Sequence, residues 1–272
     1  MEDIKADATS EASLTGLTPA DRRDAMAEYL RTHRTARIEE LAGRFAISPM
    51  TVHRDLDLLS RTGVVQRVRG GARAMTQPMT ERDIQIRRRF RATEKDALAK
   101  VAAGLIDEGT IVALDDSTTV GAIVPLLSGR QPSTVITHSL TAMEYVATHY
   151  PEMVLVGLGG QYYPETGSFL GRAVADQVRG MTADTVFVST TSIKNNALFH
   201  PDEEAASTKQ ALLEVGDRKV LVADASKFGV PALYHVVGLD IFDDIVVEDA
   251  ISPEQREQLD SLAATIHYVA SI

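Results

Sequence analysis

Two short stretches of this sequence carry side chains fit for chemistry. The first is Ser48-Pro49-Met50-Thr51-Val52-His53-Arg54. Ser48 can cap a helix whose first residue is Pro49, and the early residues of a helix lying in a major groove reach base edges. Thr51 suits a thymine methyl or a phosphate, Arg54 suits guanine or phosphate, and Met50 and His53 lie off the apolar face beside them. Asp55 is expected to pair with an arginine nearby rather than with DNA. Arg67 and Arg69 follow on a basic hairpin, placed for an adjacent groove or the backbone. The second stretch is Leu114-Asp115-Asp116-Ser117-Thr118-Thr119, between an apolar strand and a helix. Small hydroxyl residues there can hold an anion that also rests against the helix N-terminus. Each stretch has a plainer reading: a three-helix interaction module with incidental arginines for the first, ordinary turn and capping chemistry for the second.

The elements that must position these residues follow from hydrophobic spacing. From Pro19 to His33, Ala25, Met26, Tyr29 and Leu30 recur at helical intervals, with Thr18 as a cap. A second short helix covers Ile38 to Phe45, and Ala46-Ile47 makes the turn. A third helix starts at Pro49, buries Val52, Leu56 and Leu59 at i, i+4 and i+7, and ends at Gly63. The strand-like run Val64–Arg69 then closes at Gly70-Gly71. Helix, helix, turn, helix and basic hairpin is the order of a winged helix, over residues 17–73. Residues 74–92 read as a linker whose arginines fit either a DNA-backbone contact or a solvated linker helix. From Thr93 onward, helical stretches alternate with apolar runs at Ile111–Leu114, Thr134–Thr137, Met153–Val156, Thr185–Ser189, Lys219–Ala223 and Ile245–Val247. That alternation predicts an α/β domain over 93–272, a doubly wound parallel sheet covered on both faces.

Charge divides along the same lines. The chain of 272 residues carries −10 overall. Residues 17–92 hold sixteen arginines against nine acids, a net +7, while residues 93–272 carry −14. A basic module on an acidic body is what a nucleic-acid-binding head on a small-molecule domain requires. Residues 1–16, at −3, are polar, lack the basic and apolar regions of a secretory signal, and read as a disordered tail. There are no cysteines, which excludes disulfides, a thiolate nucleophile and cysteine-ligated metal and fits a reducing cytoplasm. No apolar run is long enough to span a membrane.

Arg22, Met26 and Leu30 followed by Ser48-Pro49-Met50-Thr51-Val52-His53-Arg54-Asp55-Leu56 resemble the signature of the DeoR-type helix-turn-helix. Gln66-Arg67-Val68-Arg69-Gly70-Gly71-Ala72 is similar to that family's wing, where histidine is usual at the Arg69 position. The family's commonest recognition helix has two arginines before the aspartate; here they are His53 and Arg54, so a weaker imidazole contact replaces a guanidinium. The likeness runs over about residues 17–270. Asp115 to Thr119 resembles an Asp-x-Gly-Thr-Thr loop with Ser117 in place of glycine. Thr137-His138-Ser139, Gly159-Gly160, Glu204 with Lys209, and Ala223-Asp224-Ala225-Ser226-Lys227-Phe228-Gly229 resemble further family blocks. The resemblance implies a regulator binding double-stranded operator DNA, with a C-terminal domain of ribose-5-phosphate-isomerase type that senses a phosphorylated sugar or polyol. It further implies that Ser117, Thr118 and Thr119 cradle the phosphate, that Lys209 and Lys227 supply positive charge, and that Asp115, His138 and Ser139 address hydroxyls, with Gly160 and Lys194 completing the site. No cofactor or metal is implied.

The competing class is a sugar-phosphate isomerase with an accessory module. Aldose–ketose isomerisation needs a carboxylate to move a proton beside the carbonyl. Thr190-Thr191-Ser192-Ile193-Lys194-Asn195-Asn196 stands where the isomerases place acids and has none. Lys194 occupies a position where the regulators often have an acid, which points to a more anionic or differently hydroxylated ligand. One winged helix covers few base pairs and operators are commonly paired half-sites, so a homo-oligomer, at least a dimer, is expected.

Overall fold

The computed structural model describes residues 17–61, 65–74 and 84–270. The tail 1–16, the helix stop at Gly63 and residues 75–83 of the linker lie outside them. The chain divides into two compact units, Met1–Met79 and Thr80–Ile272.

In the first unit, α1 (Pro19–His33), β1 (Thr35–Arg37), α2 (Ile38–Arg44), α3 (Pro49–Arg61), β2 (Val65–Val68) and β3 (Gly71–Ala74) follow in order. Met26 and Leu30 of α1, Leu41 of α2, and Val52, Leu56 and Leu59 of α3 pack into one core with Phe45. The apolar spacing of α3 therefore decides which residues remain outside. The three strands form a sheet of order β1-β3-β2. β1 escaped sequence reading because Thr-Ala-Arg has no apolar pattern. It pairs with β3 at Gly71, where a Cβ would meet the Ala36 carbonyl oxygen at 2.2 Å. Only glycine lets the strands approach so closely.

The second unit begins with α4 (Ile84–Arg89) and α5 (Ala92–Ala103), so the end of the stretch read as linker is helical and belongs to this unit. There follow β4 (Ile111–Leu114), α6 (Thr118–Gly121), β5 (Thr134–Thr137), α7 (Leu140–His149), β6 (Val154–Gly157), β7 (Gln161–Tyr163), β8 (Ser168–Leu170), α8 (Arg172–Val178) and β9 (Ala183–Val188). β10 (Ser192–Lys194), β11 (Ala197–His200), α9 (Glu203–Glu214), β12 (Gly216–Ala223), β13 (Tyr234–Gly238), β14 (Asp244–Glu248), α10 (Pro253–Asp260) and β15 (Thr265–Val269) complete it. Seven parallel strands lie in the order β15-β14-β12-β9-β4-β5-β6. Side chains alternate between two cores: Val186 and Val188 face α8 and α9, while Phe187 faces α5 and α7. This is the doubly wound sheet that the apolar runs predicted. Between β4 and β5 the chain forms one α-turn followed by a 3-10 turn over Val124–Gly129, because Pro125 supplies no N–H. The short hairpin β7–β8, the small sheet β10-β11-β13 and β15 were not legible from periodicity.

The chain runs from β4 outward to β5 and β6, then returns to β9 on the other side of β4. At such a switch point the loops leave in opposite directions and open a crevice at the carboxyl ends of the strands. Asp115 to Thr118 emerge there.

Candidate functional site

On α3 the structure separates anchors from free groups. Ser48 Oγ accepts the Thr51 N–H at 3.2 Å and lies 2.9 Å from Thr51 Oγ1, so the expected cap is in place. Met50 is 64% exposed, His53 and Arg54 are exposed, and Arg54 makes no ion pair among the described residues. Asp55 is buried and accepts from Arg22 Nε at 2.7 Å, with Arg23 at 3.8 Å, the internal pairing expected of it. Arg67 is half-buried and works locally: Nη2 donates to His53 Nδ1 at 2.7 Å, and Nε lies 3.5 Å from Asp57. It braces the β2–β3 hairpin to α3, whereas Arg69 beside Gly70 is exposed.

In the second unit, the loop after β4 is built from its own acids. Asp115 Oδ1 accepts the Ser117 N–H at 2.9 Å, and Oδ2 accepts the Ser189 N–H at 2.9 Å from the end of β9. Lys209 on α9 donates to Asp115 Oδ2 at 2.6 Å and to Asp116 Oδ1 at 3.2 Å. Ser168 Oγ donates to Asp116 Oδ2 at 2.8 Å. Burial alone would raise Asp116, but Lys209, His138 and the Ser168 hydroxyl outweigh it and hold the carboxyl well below the usual range. Burial likewise works against the Lys209 ammonium, and the two aspartates overcome it and raise its pKa. His138 is fully buried; its Nδ1 donates to the Phe169 carbonyl at 2.9 Å, and Nε2 lies 4.0 Å from Asp116 Oδ1 with no hydrogen-bond partner among the described residues.

A cavity of about 250 Å³ opens beside this cluster, and its lining includes Asp116, Ser117, Thr118 and Ser139 as well as Ile84, Arg88 and Lys95. α6 is a single turn, so its dipole is short; the positive charge at this cavity comes from side chains. Lys95 is only 4% exposed, and burial, reinforced by Lys227 and Arg87 nearby, pushes its pKa down to about 7. Arg88 is half-buried and makes no ion pair among the described residues. Neither was singled out from sequence as a ligand. The signal for Lys95 existed: it stands at i relative to Leu98, Ala99 and Ala102, on the buried stripe of α5, where a lysine needs a reason.

Asp115, Ser117, Thr118, His138, Ser139 and Lys209 thus converge. Thr119 is buried behind Thr118. Lys227 lies 3.9 Å from Asp224 and is near enough to Lys95 to lower its pKa. Lys194 is exposed on β10, whose Ile193 accepts the Gly229 N–H at 3.0 Å from the Lys227 loop. Gly160 is exposed after β6, and its neighbour Gly159 is tied to Gln177. No hydrogen bond or ion pair joins Lys194 or Gly160 to the cavity among the described residues.

The family model for the DeoR-like helix-turn-helix domain matches residues 22–78, and that for the DeoR C terminal sensor domain matches residues 91–249. The chain belongs to the DeoR family. Over 89% of its length it is 30% identical to the HTH-type transcriptional regulator YgbI of Escherichia coli, covering 94% of that protein. It is 32% identical to the transcriptional repressor AccR of Agrobacterium fabrum over 76% of this chain and 81% of the other. Against the lactose phosphotransferase system repressor of Lactococcus lactis the figures are 28%, 87% and 94%. Ribose 5 phosphate isomerase A from Neisseria gonorrhoeae aligns with 49% of this chain and 52% of its own at 15% identity and a TM-score of 0.36. In this DeoR-family chain, no described helix is long and apolar enough to cross a membrane.

Proposed function

We propose that the chain represses carbohydrate-catabolism genes, gripping double-stranded operator DNA through α3 and its basic hairpin and responding to a phosphorylated sugar or polyol in the cavity of the second unit. The observation that carries this reading is the cavity itself. Ser117, Thr118 and Ser139 line it together with two cations, Lys95 and Arg88, a set suited to a phosphate with hydroxyls attached. The exposed early turns of α3, bearing Met50, Thr51, His53 and Arg54, supply the DNA-reading surface. Ser48 positions the helix, Arg67 braces the hairpin, and Arg69 meets the phosphate backbone. Relatives named as repressors of the aga operon and of the lactose phosphotransferase system support the regulated class.

Isomerase chemistry is disfavoured by the site's electrostatics. A general base works best with a pKa near the operating pH, and Asp116, at the cavity edge, is held far below it by Lys209. In this proposal Asp115 and Lys209 set the shape of the loop, and Lys227 adds charge behind Lys95. The protein acts as a homo-oligomer that spaces two DNA-binding units, and a ligand shifts it by its difference in affinity for the two arrangements.

The test is a gel shift with the DNA upstream of the chain's own coding sequence against scrambled DNA at one salt concentration, alongside a thermal-shift screen of pentose, hexose and hexitol phosphates. Specific retention, weakened by a sugar phosphate that also raises Tm, is the expected result. Equal retention of both DNAs, or turnover of a sugar phosphate, would overturn the reading.

A further inference from the structure

Lys95 sits at a junction that neither the DNA-reading helix nor the hydroxyl loop explains. An ammonium buried in the apolar stripe of α5 is tolerated only with its N–H groups satisfied, and its three acceptors come from two sides. Two are main-chain carbonyls: Arg87 in the last turn of α4, and Phe90 just beyond it at 2.8 Å. The third is Thr118 Oγ1 at 3.0 Å, on the loop that edges the cavity. α4 has six residues, and a helix of that length does not persist in water unaided. Its C-terminal carbonyls have no partner within the helix, so Lys95 caps them. α4 is also the first described element after the N-terminal unit, and its Ile84 and Arg88 line the same cavity as Lys95.

We propose that Lys95 is the latch through which an anion in this cavity reaches the connector: an incoming phosphate draws the ammonium from the Arg87 and Phe90 carbonyls, and α4 loses its C-terminal cap. The inference rests on the sensor reading above. An ionised phosphate oxygen is a stronger acceptor for an ammonium than a neutral carbonyl. It would seat on the Thr118 side, so the latch keeps its hold on the loop and releases the helix. The charged groups facing Lys95 are Glu94 on its own helix, Arg87 on α4, and Asp224 and Lys227 after β12. Asp224 Oδ1 accepts the Ser226 N–H and lies 3.6 Å from Arg91 Nε, and no ion pair joins Asp224 to Lys95 among the described residues. Lys95 is thus a positioning residue for α4 as well as a ligand for the anion.

Hydrogen exchange of the amides of residues 84–91 in the full chain, with inorganic phosphate as probe and calorimetry to measure its binding, tests this. Phosphate should speed exchange in that segment about a hundredfold, the loss of two charge-assisted hydrogen bonds. Lys95→Met should show the fast exchange without phosphate and no further change on its addition. Thr118→Val removes one acceptor of the ammonium and the hydroxyl that donates to the Arg87 carbonyl at 3.4 Å, so it should weaken phosphate binding and raise basal exchange, but less than Lys95→Met does. If phosphate binds the wild type without changing exchange in 84–91, or if Lys95→Met protects α4 as well as the wild type does, the latch is overturned and the sensor reading stands. If neither inorganic phosphate nor pentose and hexose phosphates bind at all, the sensor reading falls and takes the latch with it.

Discussion

Arg54 on α3 stands exposed with no ion pair among the described residues, whereas Lys209 on α9 is 3% exposed and wedged between Asp115 and Asp116. Both are helix-borne cations, and from sequence both were candidates for an anion. The first keeps its charge available to a polyanion, at the mercy of salt. The second has spent it on the protein, and its two carboxylates depend on it. Lys95 lies between these extremes, buried yet bound mainly to uncharged oxygens that an anion can displace.

Removing the cation is the sharpest way to break that contrast. Lys209→Met leaves two buried carboxylates without their counter-charge, and urea unfolding should show a loss of about 3–5 kcal/mol. A loss below about 1 kcal/mol, the size of an exposed pair, would erase the distinction. Arg54→Ala should do the opposite: stability within about 0.5 kcal/mol of the wild type, but upstream-DNA affinity weaker by about 1–3 kcal/mol in a gel-shift titration. Unchanged affinity would remove α3 from the reading surface.

The third comparison is by pH. Lys95 sits at about 7 in the folded chain against an ordinary 10.5. Between those values the unfolded chain binds more protons, so stability should rise with pH across that window; below about 7 both states are protonated and the cost of burying the charge is present in full. The pH dependences of the unfolding free energies of wild type and Lys95→Met, from urea titrations, should therefore diverge above pH 7, by up to about 1.4 kcal/mol per pH unit, with the variant lacking the rise. Parallel pH profiles would mean the amine is not perturbed. The smallest effect belongs to Arg69→Ala, which should lower the salt dependence of DNA binding by about one counterion without changing sequence preference. A loss of discrimination instead would place Arg69 at a base edge.

Much of the fold was legible because its signals are local. Val52, Leu56 and Leu59 face the core as their spacing requires, Ser48 caps α3, and the runs Ile111–Leu114 and Thr134–Thr137 are strands end to end. β15 was missed because Thr265–Val269 is half-exposed at the sheet edge, where neither strict alternation nor a continuous apolar run survives. Arg91, in the stretch read as linker, was illegible for a different reason. In sequence it fitted either a DNA-backbone contact or a solvated linker helix; in the structure Nη2 meets both oxygens of Glu248 at 2.6 Å, a partner 157 residues away.

By itself the sequence determined the two units, the capped helix α3 and the hydroxyl loop after β4, since periodicity, capping and turn chemistry act over a few residues. Only the tertiary structure decided which cations are free, which are paired and which face the cavity. A side chain's electrostatic environment is set by neighbours the fold brings from afar, Lys209 to Asp115 across 94 positions, and no local pattern encodes that distance.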